Sequence, residues 1–167
     1  MTFTSVLTFR EIEKVQLIDA RGPRFGAILT TVVLTFSLAL QSSPLLLWQL
    51  AVFAIGAFIS PQKTPYGYIF KSLIKPRLRG DVPTEDIRPP QFAQIVGFLF
   101  LAVASIATLV DESAIATVVT GFALAAAFLN GAFNFCLGCE IYLLIARARS
   151  AIKGRKNVED SYNLPNL

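Results

Sequence analysis

The fold class this sequence predicts is all-α, an integral membrane four-helix bundle, and three observations carry that expectation. Of 167 residues 54% are hydrophobic and only 16% are charged, whereas a soluble domain has nearer a quarter of its residues charged. The charges are clustered, which leaves four long apolar runs. All 15 lysines and arginines lie on one side of those runs.

The runs span about 25–40, 44–60, 94–110 and 113–146, the last interrupted only by Glu140. A hydrocarbon core of about 30 Å takes about 20 helical residues, with about 17 as a minimum. The first three runs are therefore minimal spans, and the fourth has residues to spare. Helices are required because backbone polar groups in lipid must pair within their own segment unless a barrel closes. No run shows the polar/apolar alternation of a barrel strand. Proline and charge mark the ends: Pro23 precedes the first run, Pro44 opens the second, and Asp111 and Glu112 separate the third from the fourth.

Orientation follows from the cations. Arg10, Lys14, Arg21 and Arg24 precede the first run. Lys63, Lys71, Lys75, Arg77, Arg79 and Arg88 lie between the second and third, and Arg147, Arg149, Lys153, Arg155 and Lys156 follow the fourth. The opposite loops, 41–43 and 111–112, have none. A multi-pass plasma-membrane protein with four crossings and both termini cytoplasmic is expected. Residues 1–156 read as a single membrane domain and 157–167 as a disordered cytoplasmic tail. A cleaved signal peptide ending near Ser37-Leu38-Ala39 is the competing reading of the first run, but the lead-in is long for one. The net charge of +4 follows from orientation, so no nucleic-acid partner is implied.

Between the second and third spans, Pro61 to Pro76 predicts a short interfacial helix. Tyr66, Ile69, Phe70, Leu73 and Ile74 share one stripe, flanked by Lys71 and Lys75. With Arg77 and Arg79, those lysines are placed to meet lipid headgroups. Residues 80–90, with Pro83, Pro89 and Pro90, read as an irregular linker. No internal repeat is read from the sequence.

Chemistry is confined to Cys136-Leu137-Gly138-Cys139, the only two cysteines in a chain without histidine. Residues three apart share a helix face, so the sulfurs are neighbours. Asn130, Gly131, Asn134 and Gly138 are poor interior helix formers, and a break here would put Cys136 at a helix start. Amides there favour a thiolate. Three readings stay open: thiol redox exchange, with Cys136 attacking and Cys139 resolving; packing as two small apolar residues; and metal binding. The last is disfavoured because zinc needs four ligands and this pair supplies two, so no metal and no cofactor is expected. Topology places Arg21 and Arg24 at the same depth, where they would stabilise the thiolate, and Glu140 where it could move a proton. The small residues Ala123 to Ala127 and Gly131 permit close helix approach. They allow a homo-oligomer, or a non-catalytic scaffold within a larger complex. Four-span membrane enzymes that pass electrons between thiols and quinone use a second cysteine pair and work on the exterior face. This chain has neither feature and is not read as one of them.

Four segments together carry a closer resemblance. They are Ile18 to Phe25, Ser60 to Leu78 with its Thr64-Pro65-Tyr66-Gly67-Tyr68 centre, Pro89 to Gln94, and Phe133 to Tyr142 with the cysteine pair. In these the chain resembles the bacterial membrane proteins grouped as domain of unknown function 4395, over roughly Gln16 to Arg149. The resemblance implies a small multi-span protein of the bacterial plasma membrane, sometimes associated with thioredoxin-like or rhodanese-like sulfur proteins. It implies no established activity.

Overall fold

Leu17–Asp19 form a strand, β1, that leads directly into helix α1, Arg21–Ala39. The computed structural model of the protein describes residues 17–78 and 83–162. Helix α2 is Ser43–Phe58, followed by a 3₁₀ turn at Pro61–Lys63 and a short helix α3, Pro65–Ile69. A π-helical turn at Phe70–Ile74 and a 3₁₀ turn at Lys75–Arg77 extend α3. Strand β2, Thr84–Asp86, leads into α4, Arg88–Leu109; then come α5, Ser113–Phe133, and α6, Leu137–Tyr162.

Among the described residues the regular structure is helical except for one two-stranded ribbon. Helices α1, α4 and α5 are long and apolar enough to cross a membrane. Helix α2 is equally apolar but has 16 residues, roughly 24 Å at about 1.5 Å per residue. α1 packs most extensively on α5, and α2 on α4. Their shared core holds Leu34, Leu46, Phe53, Leu101, Ala104 and Ala123. Glycines set how closely the helices approach. A Cβ at Gly131 would come within 3.3 Å of the Ile28 backbone nitrogen, and one at Gly97 within 2.9 Å of the Phe53 ring. The small residue Gly131 is thus used inside the fold, against α1.

Where an irregular linker was expected, Thr84–Asp86 pairs antiparallel with Leu17–Asp19, Ile18 opposite Glu85. The Ala20 N–H also donates to the Pro83 carbonyl at 2.9 Å. The prolines therefore flank a strand and do not prevent one. Burial raises the pKa of Glu85, and the neighbouring Asp19 carboxylate adds to the rise.

The ribbon exposes an internal repeat that the sequence did not make legible. Asp19 Oδ1 accepts from the Arg21 N–H at 3.1 Å, and Asp86 Oδ1 from the Arg88 N–H at 3.0 Å. Each Asp, one residue before the cap positions Ala20 and Ile87, thus satisfies the first N–H of the helix that follows. Both α-hairpins turn alike: Gln41 and Asp111 have φ of 47° and 60°. Ser42 N–H donates to the Ser37 carbonyl and Glu112 N–H to that of Ala107, each at 2.9 Å. Arg24 of α1 donates to the Gly131 carbonyl near the end of α5 at 3.1 Å. Gln91 of α4 donates to the Ala57 carbonyl near the end of α2 at 2.9 Å. Phe25 meets Phe70, and Phe92 meets Tyr142, both with centroids 5.8 Å apart. Strand, capping Asp, hairpin and returning helix thus occur twice, with the two copies packed crosswise.

The expected interfacial helix is segmented, and its stripe divides. Tyr66 and Phe70 are buried, while Ile69 and Leu73 are exposed. Tyr66 reaches into the bundle, donating to Gln49 Oε1 at 2.8 Å, and Gln49 Nε2 donates to Thr30 Oγ1 at 3.1 Å. A fully buried glutamine needs such partners, which is why this segment docks instead of lying wholly on the surface. Of the four basic residues assigned to headgroups, Lys71, Lys75 and Arg77 are exposed, Arg77 donating to the Leu73 carbonyl. Arg79 lies outside the described residues.

Candidate functional site: a cysteine pair at a helix start

The fourth apolar run is two helices. Asn134, at φ 57°, closes α5. Its N–H donates to the Asn130 carbonyl at 3.1 Å, and the Phe135 N–H donates to that of Leu129 at 3.3 Å. This is the two-bond stop in which one left-handed residue satisfies the last carbonyls, and asparagine is the usual substitute for glycine there. α6 begins at Leu137, so Cys136 is its cap. The Cys136 carbonyl accepts from the Glu140 N–H at 3.0 Å, and its sulfur accepts from the Cys139 N–H at 3.3 Å.

Cys136 Sγ and Cys139 Sγ are at disulfide distance, with the Cα atoms 5.2 Å apart. Both residues are half-buried and Glu140 is exposed. Gly138 explains the docking of this turn: a Cβ there would fall 2.7 Å from the Ala93 Cα. Only glycine lets the start of α6 lie against α4. Cys136 itself borders a chamber of about 260 Å³ that reaches between α1, α2, α4 and α5.

The expected cations divide. Arg21 pairs with Asp19 at 3.2 Å, which holds it at the start of α1. Arg24 is tied to the last turn of α5, five residues before Cys136 in the chain. Among the described residues neither arginine forms an ion pair with Glu140. Glu140 sits in the first turn of α6, where a carboxylate is favoured by the helix dipole. Among the described residues no group of three or more His, Cys, Asp or Glu side chains could hold a metal ion.

Two residues of the site were not singled out in the sequence. Gln94 lines the chamber beside Cys136, and its Oε1 is buried without a hydrogen-bond partner. Ala93 receives the cysteine turn. Both lie in the Pro89–Gln94 segment that carries the family resemblance, where neither was given a role, and the repeated Asp-x-Arg motif aligns them with Gly26 and Ala27 of α1.

A half-buried cysteine pair at disulfide distance, capping a helix among apolar helices, defines a protein with a Cys-x-x-Cys turn and helices fit for a membrane. The chain belongs to the family described as a domain of unknown function, DUF4395, which matches residues 18–147. No curated protein and no solved structure matches it.

Proposed function

We propose that the protein is a membrane-embedded dithiol, exchanging electrons or sulfur with a thioredoxin-like or rhodanese-like partner at the cytoplasmic face of the plasma membrane. In this reading four helices cross the bilayer, both termini are cytoplasmic, and the exposed Lys71, Lys75 and Arg77 meet lipid headgroups. One observation supports it above all: Cys136 caps α6 with its sulfur on the Cys139 amide. An amide hydrogen bond and the positive end of a helix favour a thiolate over a thiol. Packing alone would not need the sulfur at that position.

In the exchange, the Cys136 thiolate attacks a partner disulfide, forms a mixed disulfide and releases one partner thiol. Cys139 then attacks Cys136 Sγ, closing the intramolecular disulfide and releasing the second partner thiol. Arg24, anchored beside the end of α5, supplies positive potential near Cys136, and Glu140 is available to the Cys139 proton. Arg21 is held by Asp19 and acts on the fold.

The test is trapping. Cys139→Ser should accumulate a mixed disulfide between Cys136 and a soluble thiol protein in intact cells, and Cys136→Ser should not. Cysteines that resist alkylation from the cytoplasmic side, with no phenotype on double replacement, would favour the scaffold reading. Contiguous exposed apolar residues on α6, among them Ile141, Leu144 and Ile145, support that second reading.

A further inference from the structure

The chamber that Cys136 borders has the dimensions and chemistry of a ligand site. Its volume of about 260 Å³ is slightly below the roughly 300–1,000 Å³ of ordinary small-molecule pockets. It therefore suits one ring system and excludes a nucleotide cofactor. The walls are apolar, with Phe53, Phe100 and Phe122 among them and Ala126 leaving the space open. Phe100 and Phe122 are also exposed on the outside of the bundle, so the chamber borders the surface that hydrocarbon would cover. Phe100 is roughly 18 Å along α4 from Arg88 at about 1.5 Å per residue, which places the outer wall near mid-membrane and Cys136 near its edge. Gln94 also lines the chamber, and its Oε1, enclosed against Gly56 of α2, has no hydrogen-bond partner. Leaving such an atom unpaired is costly, and its amide can accept from a hydroxyl or, rotated, donate to a carbonyl.

One sulfur of a redox pair on the wall, an approach from lipid, a slot of one ring's size and the amides of Gln94 and Asn130 at its side select one kind of ligand. We propose that this chamber binds the ring of a lipid-soluble quinone, which oxidises the reduced Cys136–Cys139 pair. The inference rests on the dithiol reading above, with the exchange run in the opposite sense. Two partner thiols reduce the Cys136–Cys139 disulfide through the same mixed disulfide and leave as the partner's disulfide, and the quinone accepts their electrons. Two thiols and one quinone give one disulfide and one quinol. Two S–H bonds break, the S–S bond forms, two electrons pass to the ring, and the two protons end on its two oxygens. Gln94, its amide turned from Gly56 toward the chamber, hydrogen-bonds one of those oxygens in both states. A second cysteine pair is unnecessary because the chamber brings the oxidant to the same pair that meets the partner.

The experiment uses the full-length protein in detergent, reduced and freed of reductant without air. A short-chain ubiquinone is the probe; quinol is followed by ultraviolet absorbance and free thiols by alkylation. Expected is one quinol per disulfide formed, at a rate that saturates with quinone, and none from Cys139→Ser. Ala126→Phe fills the chamber and should lower the ratio of quinone-driven to diamide-driven oxidation by about tenfold. Should that variant not fold, Gln94→Leu keeps the size of the side chain and should raise the KM for quinone. Thiols that react with a thioredoxin but yield no quinol overturn the inference and leave the dithiol reading intact. So does a quinone reaction that neither saturates nor responds to the two variants. Thiols inert to both quinone and thioredoxin overturn both.

Discussion

The two copies of the strand–hairpin–helix unit share a backbone plan and differ in what caps the returning helix. In the first, Thr64 Oγ1 accepts from the Gly67 N–H at 3.0 Å and opens α3. In the second, Cys136 Sγ accepts from the Cys139 N–H and opens α6. Same position, same bond, different atom: a hydroxyl makes an inert cap, and a sulfur makes one that can be oxidised. The copies differ in depth as well. The first sends Tyr66 down to Gln49, and the corresponding turn of the second has Gly138, which settles directly on Ala93. Both halves border a cavity, of about 220 Å³ beside Thr64 and Tyr66 in the first and about 260 Å³ beside Cys136 in the second. Tyr66 of the Tyr66–Gln49–Thr30 network lines only the first. The lesson is that one backbone scaffold serves both halves, and the side chains at one turn are what distinguish them.

The glycines of these two turns test the comparison most severely. A Cβ at Gly67 would fall 2.6 Å from the Gln62 carbonyl oxygen, and backbone cannot step aside as a side chain can. Gly67→Ala should destabilise by about 3 kcal/mol, at the upper end for overpacking, read as a fall in thermal midpoint in detergent. Gly138→Ala should cost a similar amount and also free α6 from α4, seen as faster alkylation of both thiols. A pair of cysteines at 64 and 67 would not fit for the same reason; if it formed without loss of stability, the division of roles between halves would be wrong.

Next in size is the buried network. Tyr66→Phe leaves Gln49 Oε1 without its donor, at a cost of about 1–3 kcal/mol. No change of thiol reactivity is expected, because the network belongs to the first half. The paired ties between halves give a smaller and more informative effect. Arg24→Gln makes that tie resemble Gln91, so the fold should hold. If the charge of Arg24 acts on Cys136, alkylation of the reduced thiol near neutral pH should slow roughly three- to tenfold; an unchanged rate would assign Arg24 to structure alone.

The helix caps separate by burial. The Asp19 side chain is 8% exposed and that of Asp86 33%. Asp19→Ala should therefore cost more, about 1–2 kcal/mol, than Asp86→Ala at about 0.5 kcal/mol. The smallest effect is that of Glu85, whose pKa is raised in the fold. Its protonated form is favoured in the native state, so its contribution is fully present below the ordinary carboxylate pKa. That contribution is lost as pH rises through the native value. Glu85→Gln should flatten this mildly acidic slope of unfolding midpoint against pH and leave the protein slightly more stable at neutral pH.

How much of this was legible beforehand depends on whether the information was local. Apolar runs and terminal prolines are one-dimensional signals, and they located α1, α2, α4 and α5 to within a few residues at most ends. The break near Asn134 was signalled by its poor helix formers, though only the left-handed residue decided between one helix and two. The strand at Thr84–Asp86 was missed because its partner lies at the other end of the first unit, and a three-residue strand has no pattern of its own. The repeat was hidden for a related reason. Its copies share capping Asp residues, turns and ring contacts, while the apolar positions between them have drifted, and lipid or core accepts many apolar side chains alike.

By itself, then, the chain's chemistry determined that its helices suit hydrocarbon, that its cations share one side of the apolar runs, and that its two cysteines are three residues apart. Those properties are sums or spacings along the polymer. Which arginine ties α1 to the last turn of α5, which glutamine is left unpaired, and that a chamber opens beside Cys136 were decided only in three dimensions. Each depends on helices brought together from distant parts of the chain, and on glycines whose value is the neighbour they admit.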